Sequence, residues 1–504
     1  MLTISNEQKI RDYVEKFNSN DEETVVQAIG NSQAAQWLID NIPIFECPDK
    51  TIEETYYFRW WTYRKHIKMT SDGYVISEFH PDVGWAGLHN TINAAVGHHI
   101  NEGRWLKNHS RYISDYIRFW FSGKGNIYSY SSWIIAAVYE YCVLINDYSL
   151  AIDLLDEFDK YYEEVEKRNL TKHNDLFWSN DDRDAMEMSV SGSGLRPTLN
   201  SYMYANALAI SKIAEKAGHE DLRNKYAMKA KSLKEAIQTH LWDEKSQFFK
   251  VLPTNAKDNA VQLSFDNIDP TRDAKELIGY IPWSFDIPLK THETAWKYLM
   301  DQNFFYAPFG PTTAEKNHSE YMKPASHECL WNGPSWPFAT SQTLNSLIKY
   351  LHTEKNESYI SKRDFLTLMT NYAKSHYRKN ENGEIINWID ENLHPKTGEW
   401  ISRNILKEWS WREDKGGYER GKDYNHSTFC DLVIRGICGV DISEEDTLNI
   451  NPLMPDDTWE YFLLDNVYYK GKKLTVMYDK TGNKYARGKG LQVFVNDTPM
   501  KIYE

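Results

Sequence analysis

The sequence predicts an all-α fold, an (α/α)6 barrel of antiparallel helix pairs, followed by a small β domain. Three observations carry this. Helical periodicity runs with few interruptions from residue 8 to about residue 440. The implied helices, about a dozen, are joined by long loops rich in Gly, Pro, Trp and His, without the fixed repeat of a solenoid. After Val440 the apolar residues alternate with a period of two. The expected boundaries are 1–440 for the barrel and 441–504 for the β domain.

Residues 8–17 and 31–41 carry the apolar stripe of short amphipathic helices. Residues 51–67, TIEETYYFRWWTYRKHI, start at Thr51 as expected N-cap, with Glu54 three positions on to complete a capping box. In WAGLHNTINAAVGHHINEG, Ile92, Ala95, Val96 and His99 share one face. LKNHSRYISDYIRFWF and SSWIIAAVYEYCVLIN give two more apolar-faced helices. Residues 148–168 alternate Leu and acids at helical spacing, and helices follow near 200–216 and 219–241. WDEKSQFFKVL reads as a hairpin, and the segment from there to PWSFDIP as irregular. Helices resume at 291–303; Leu344, Leu347, Ile348 and Leu351 then fit i, i+3, i+4, i+7, and 359–378 and 424–439 complete the set. YYKGKKLTVMYD and LQVFVNDTPMKIY are strand–turn–strand patterns.

The chain has 504 residues, long enough for a large core, and a formal charge of −14. That acidity argues against nucleic acid or an anionic membrane surface as partner. Five cysteines, Cys47, Cys142, Cys329, Cys430 and Cys438, are widely spaced, which suits buried free thiols in a reducing compartment. There is neither zinc spacing nor an apolar leader in MLTISNEQKIRDYVEKF, so no metal or cofactor and a cytoplasmic location are expected. Aromatics make up 14%, with 18 Trp. That many indoles suggest a cleft lined with rings.

The most telling stretch is 175–206, DLFWSNDDRDAMEMSVSGSGLRPTLNSYMYAN. Asp175, Asp181, Asp182, Asp184 and Glu187 crowd before a Ser/Gly loop, with Phe177, Trp178, Tyr202 and Tyr204 interleaved. A solvated turn would explain acids alone. Sugar rings stack on aromatic faces and glycosidic bonds are cut by paired carboxyls, so acids among rings point to glycoside chemistry. A second acidic loop, NWIDENLHPKTGEW at 387–400, offers Asp390 and Glu391 beside Trp388. Glu391 follows Asp184 by 207 residues, about six helices, which in a ring of helix pairs sets the two loops across one central cleft. An inverting glycosidase needs a protonated and an ionised carboxyl about 6.5–9.5 Å apart. An apolar wall and the neighbouring acids would raise the pKa of Asp184.

Other loops supply candidate sugar contacts. FRWW gives Arg59, Trp60 and Trp61, not all of which can face inward; HPDVGWAGLHN gives Trp85, His89 and Asn90. Arg196 follows the Ser/Gly loop, Glu315 ends YAPFGPTTAE, and CLWNGPSWP presents Trp331 and Trp336 on rigid turns. EGRW, at 102–105, reads as a buried Glu102–Arg104 pair. SGSG lacks a Walker lysine, and no GxSxG elbow occurs.

WNGPSW (331–336), WIDENLHPKTGE (388–399) and YNHSTFCDLVIRGICG (424–439) resemble segments of the six-hairpin (α/α)6 glycosidases related to glycoside hydrolase family 63 and the bacterial mannosylglycerate hydrolases. The first is similar to that group's Trp-Arg-Gly-Pro-x-Trp signature, with Asn332 in place of the Arg. The second is similar to its Glu-x-Tyr-x-Pro-x-Thr-Gly base loop. The resemblance extends to about residue 440. It implies an acid in the middle loop, mapped to Asp184, and Glu391 as base. The group's Gly-x-Asp-Asn-Ser acid motif is replaced here by RDAME, so Asp181, Asp182 and Glu187 compete with Asp184 for the acid role. The expected protein is an inverting exo-glycosidase acting on a short glycoside, of α-glucosidase or α-mannosidase type first, α-L-rhamnosidase or β-L-arabinofuranosidase type second. A glycoside phosphorylase on the same fold and a non-catalytic carbohydrate-binding protein are the alternatives.

Overall fold

A computed structural model describes residues 7–500 except 173, 258–263, 354–357 and 446. The chain folds as an (α/α)6 barrel with a C-terminal β-sheet. The inner ring runs through Val96–Gly103, Ile134–Ile145, Pro197–Ala217, the 3-10 segment Leu277–Phe285, Pro337–Thr353 and Cys430–Ile437. Each touches the next, and the last touches the first, which closes the circuit. Outside pack His109–Phe121, Leu155–Asn169, Glu220–His240, Lys290–Tyr298, Lys362–Lys374 and Lys50–Lys65.

The division into inner and outer is written in the side chains. Pro197–Ala217 buries residues on every side, with small Ala and Ser where neighbours press close. Outer helices such as Leu155–Asn169 bury one stripe, Leu155, Phe158, Tyr161, Tyr162 and Val165, and leave acids and lysines in water. Pro197 opens its helix where a missing N–H costs nothing, and Gly218 closes it in the left-handed conformation at φ +74.

Local chemistry corrects several expectations. The outer helix Lys50–Lys65 is capped by Asp49, which accepts from the N–H groups of Thr51 and Ile52, so Thr51 is not the cap. The helix expected at 291–303 is a 3-10 run over Lys290–Tyr298. That expected at 424–439 starts only at Cys430 and continues as a π-turn over Val433–Ile437. The hairpin after Leu241 is made of two-residue strands, Trp242–Asp243 and Phe248–Phe249.

The expected Glu102–Arg104 pair does not form. Glu102 instead accepts from the backbone N–H groups of Phe429 (3.1 Å), Cys430 (2.9 Å) and Asp431 (2.8 Å), capping the inner helix that closes the ring. Arg104 binds Asp431 at 2.7 Å and Glu140 at 2.8 Å. The seam between the first and last inner helices is thus held by charge and backbone amides out of reach of water.

The terminal sheet has five strands. Tyr461–Tyr469, Lys472–Asp479, Gly490–Val495 and Thr498–Met500 form a meander, and Ile44–Glu46 from the barrel side pairs antiparallel with its first strand, Ile44 opposite Asp465. Residues 501–503, the end of the expected last strand, lie outside the described residues.

Replacing Glu102 by Ala leaves three buried N–H groups unpaired. We expect urea unfolding to show a loss of more than about 3 kcal/mol, against less than about 1 kcal/mol for Glu54→Ala at an exposed ion pair.

Candidate active site

The long loops at one end of the barrel enclose a cleft of about 210 Å³. Six segments supply its wall: Glu78 and Phe79 with Trp85; Tyr130; Ala185 and Glu187; His327 to Cys329 with Trp336; Glu391; and Asp414, Lys415, Arg420 and Tyr424. Asn90 holds the first segment in shape. Its side chain accepts from Val83 N–H (3.0 Å) and donates to the carbonyls of Phe79 (3.1 Å) and Pro81 (3.0 Å). Trp331 stacks on Trp336 at 4.5 Å, so one indole backs the other where it meets the cleft, and the Trp331 backbone N–H donates to the Glu187 carbonyl at 3.2 Å. Trp85, 38% exposed, lies against the Arg420 guanidinium at 5.1 Å.

Five carboxyls line this space, and two of them, Glu187 and Glu391, come from the two acidic loops singled out in the sequence. Glu391 is buried, and Arg420 Nη2 donates to its Oε2 at 2.8 Å. Arg420 also donates to Glu328 at 3.2 Å, and Lys415 reaches Glu328 at 3.0 Å. No cation contacts Glu187 among the described residues. Burial pushes both carboxyls up, Glu187 to about 7 and Glu391 to about 8, with Asp182 and Asp181 adding to the rise at Glu187, and Asp390, Glu328 and Glu187 adding at Glu391. Their protons therefore belong to a coupled pair. Arg420 favours the charged form of Glu391 against a burial that raises it above Glu187, and no cation contact among the described residues favours the charged form of Glu187. A third carboxyl, Glu78, is pushed up by burial to about 8; Tyr424 donates to its Oε1 at 2.6 Å, and Oε2 has no partner among the described residues. It is neutral at neutral pH and offers the cleft an unspent carboxylic group.

The segment carrying Arg420 passes close to the base loop. A Cβ on Gly421 would collide with Asp390 Oδ1, so only glycine lets the backbone cross there. Asp390 in turn accepts from the Glu391 N–H at 3.0 Å.

Of the residues singled out in the sequence, Trp85, Glu187, Trp336 and Glu391 meet at the cleft. Asp184 does not. Its carboxylate is enclosed by Arg196 (2.5 Å), Ser131 (2.8 Å), Ser179 (3.3 Å) and Thr198, and it anchors the turn that presents Glu187. Arg196 is the other half of that pair. Asp181 and Asp182 also lie off the cleft wall; Ser189 donates to Asp181 at 3.4 Å. Arg59 donates to the Ser427 carbonyl at 2.7 Å inside the ring, Trp60 is fully buried, and Trp61 donates to Asn18 at 2.9 Å. His89 binds Asp72 at 2.8 Å, Glu315 receives the Lys275 N–H at 2.8 Å, and Trp388 sits between Arg378 and Arg403 outside the cleft. Asn90 and Trp331 support the wall from behind.

Glu78, Tyr130, Glu328, Arg420 and Tyr424 escaped the sequence reading. For Glu187 a signal existed. Ala185-Met186-Glu187-Met188-Ser189 matches the spacing of Gly-x-Asp-Asn-Ser with its acid two positions before the serine. Of the cysteines, Cys329 alone is partly exposed; its Sγ lies 4.0 Å from Glu391 at the cleft. Among the described residues no group of three or more His, Cys, Asp and Glu is placed to hold a metal ion, and no helix is long and apolar enough to cross a membrane.

Residues 88–427 match the family model of the mannosylglycerate hydrolase MGH1-like glycoside hydrolase domain, and residues 443–502 that of the C-terminal domain of glycosyl hydrolase family 65. The chain belongs to the MGH1-like glycoside hydrolase family. A solved structure named sialidase is 38% identical, with a TM-score of 0.87 over 98% of this chain. This chain spans 43% of that one. The family 63 mannosylglycerate hydrolase of Thermus thermophilus, solved with glucose, shares the fold at 10% identity and a TM-score of 0.50, over 75% of this chain and 98% of that one. An uncharacterized protein of Borreliella burgdorferi is 26% identical over 164 residues, 31% of this chain and 30% of its own length.

Two outcomes test the assignments of charge. Asp184→Asn breaks a buried ion pair, so we expect a loss of about 3–5 kcal/mol in stability, whereas Glu187→Gln keeps the thermal midpoint near wild type. Arg420→Met removes the charge that pulls Glu391 down; the acid limb of the kcat/KM profile then moves to higher pH, and an unmoved limb would sink the pairing.

Proposed function

We propose that this chain is an inverting exo-glycosidase that removes a terminal sugar lacking a carboxylate from a short glycoside. Glu187 protonates the departing glycosidic oxygen. Glu391, in the anionic form that Arg420 favours, takes a proton from water as that water attacks the anomeric carbon from the other face. The observation that carries this reading is the unequal charge environment of two carboxyls on one small cleft, the buried Glu391 with a guanidinium partner and the part-buried Glu187 without one. Trp336 and Trp85 offer ring faces to the sugar, and Glu78 offers a hydrogen bond to a hydroxyl.

The cleft has room for one sugar ring and part of its leaving group, which supports removal of terminal units. Lys415 and Arg420, the cations of the cleft wall among the described residues, are both bound to Glu328 or Glu391, which leaves neither for a sialic acid carboxylate or an attacking phosphate. This favours hydrolysis over phosphorolysis, and a neutral sugar over the one named by the similar sialidase.

Proton NMR of the first-formed product reads the anomer directly, and retention of configuration would overturn inversion. On ordinary alkyl glycosides, Glu187→Gln and Glu391→Gln should each lose about 10²–10⁴ in kcat. A glycosyl fluoride needs no proton donor, so it restores turnover to Glu187→Gln and not to Glu391→Gln. Equal rescue of both variants would reverse or abolish the roles. Turnover should be indifferent to phosphate.

A further inference from the structure

Behind the wall that carries Glu391 lies a second, larger groove of about 900 Å³, which shares no lining residue with the cleft. The same two segments build both. From 388–391, Trp388 faces the groove and Glu391 the cleft; from 414–422, Tyr418, Glu419 and Lys422 face the groove while Asp414, Lys415 and Arg420 face the cleft.

The groove differs in charge from the rest of the molecule. Six basic side chains and four acidic ones line it, on a chain of formal charge −14. At its floor two guanidiniums press on one indole: Arg378 lies 3.8 Å from the Trp388 ring and Arg403 4.6 Å from it. Arg403 has Glu419 and, at 3.8 Å, Asp390 for balance. Arg378 has no carboxylate within ion-pair distance among the described residues; its hydrogen bond goes from Nη1 to the Lys379 carbonyl at 3.3 Å. Half-burial and the neighbouring Arg403 hold its pKa below the usual arginine value, the mark of a cation short of an anion. Around the rim, Tyr418 is 66% exposed and meets Trp411 only edge-on at 5.5 Å, while Asn380, Asn382 and Asn404 add amides.

We propose that this groove binds an anionic oligosaccharide, with Arg378 taking a carboxylate and Tyr418 stacking on a sugar face. A guanidinium reads a carboxylate as a planar two-pronged acceptor, a ring face reads a pyranose, and side-chain amides read hydroxyls. An acidic peptide would satisfy the charge but would leave the exposed ring and the amides without use. The groove lies outside the hydrolytic cleft, so ligand held there need not be cut; it would tether an anionic glycan beside the cleft that trims neutral ends.

The test uses the whole chain and tetragalacturonic acid, with binding followed by calorimetry. Saturable binding is expected at low salt, weakening as salt rises. Arg378→Gln and the surface pair Lys379→Glu/Lys407→Glu should each weaken it by at least about tenfold, or 1.4 kcal/mol. Both lysines are exposed, so the pair reports on charge even if Arg378→Gln disturbs packing. Glu187→Gln, in the cleft, should bind as wild type does. Absence of saturable binding overturns the proposal, as does loss of binding in Glu187→Gln but not in the groove variants. Maltotetraose binding as tightly would remove the role of charge, and a glutamate oligomer binding as tightly would reassign the groove to acidic protein.

Discussion

The ring stands on one seam. Five of its inner contacts join elements near in sequence, but the sixth joins Val96–Gly103 to Cys430–Ile437, across most of the chain. The closing helix is short, opens abruptly after Phe429 and includes a π-turn, so little in its own backbone would hold it in place. Glu102 supplies what it lacks. Three amides of that helix end on one carboxylate, and the adjacent Arg104 neutralises Asp431 within its first turn. A carboxylate at a helix N-terminus also meets the positive end of the helix dipole. The loops that form the cleft hang from this ring, and the distance between Glu187 and Glu391 is fixed only if the ring is shut.

The cleft shows how burial and a single cation divide labour between like groups. Glu78, Glu187 and Glu391 are all carboxyls withdrawn from water. What separates them is the company each keeps: a phenol for Glu78, acids for Glu187, a guanidinium for Glu391. Asp184 belongs to a different set. Enclosed by Arg196 and three hydroxyls, it is scaffold for the turn and faces no open space. Acids six helices apart in sequence thus differ in role for reasons that only their neighbours reveal.

That distinction marks how far the sequence could be read. Apolar spacing disclosed the barrel helices and the β tail, because burial of a stripe or a face must repeat with the period of the element. Glu391 was legible from its loop, and Trp336 from its rigid turn. Asp184 read as a cleft carboxyl ahead of Glu187 because nothing in a linear string says that Arg196, twelve residues on, folds back onto it. Trp60 and Arg59 looked like sugar contacts because an indole or guanidinium reads the same in a core as in a cleft. Arg420 and Glu78 were invisible for the opposite reason: they come from loops with no periodicity, and only closure of the ring brings them to Glu391. Thr51 lost the cap to Asp49 by two positions, a local contest that spacing alone does not settle.

The strand Ile44–Glu46 carries a consequence for how this molecule comes into being. Its partner, centred on Leu464, is made 421 positions later by the register of Ile44 and Asp465. During synthesis that edge must wait until Tyr461–Tyr469 has been made. Contacts so distant in sequence form slowly, and an unpaired strand edge invites the wrong neighbour in the meantime. The tail sheet is therefore no detachable appendage. It is the latch between an early strand and a late sheet, and until the two meet each offers its free edge to a wrong partner.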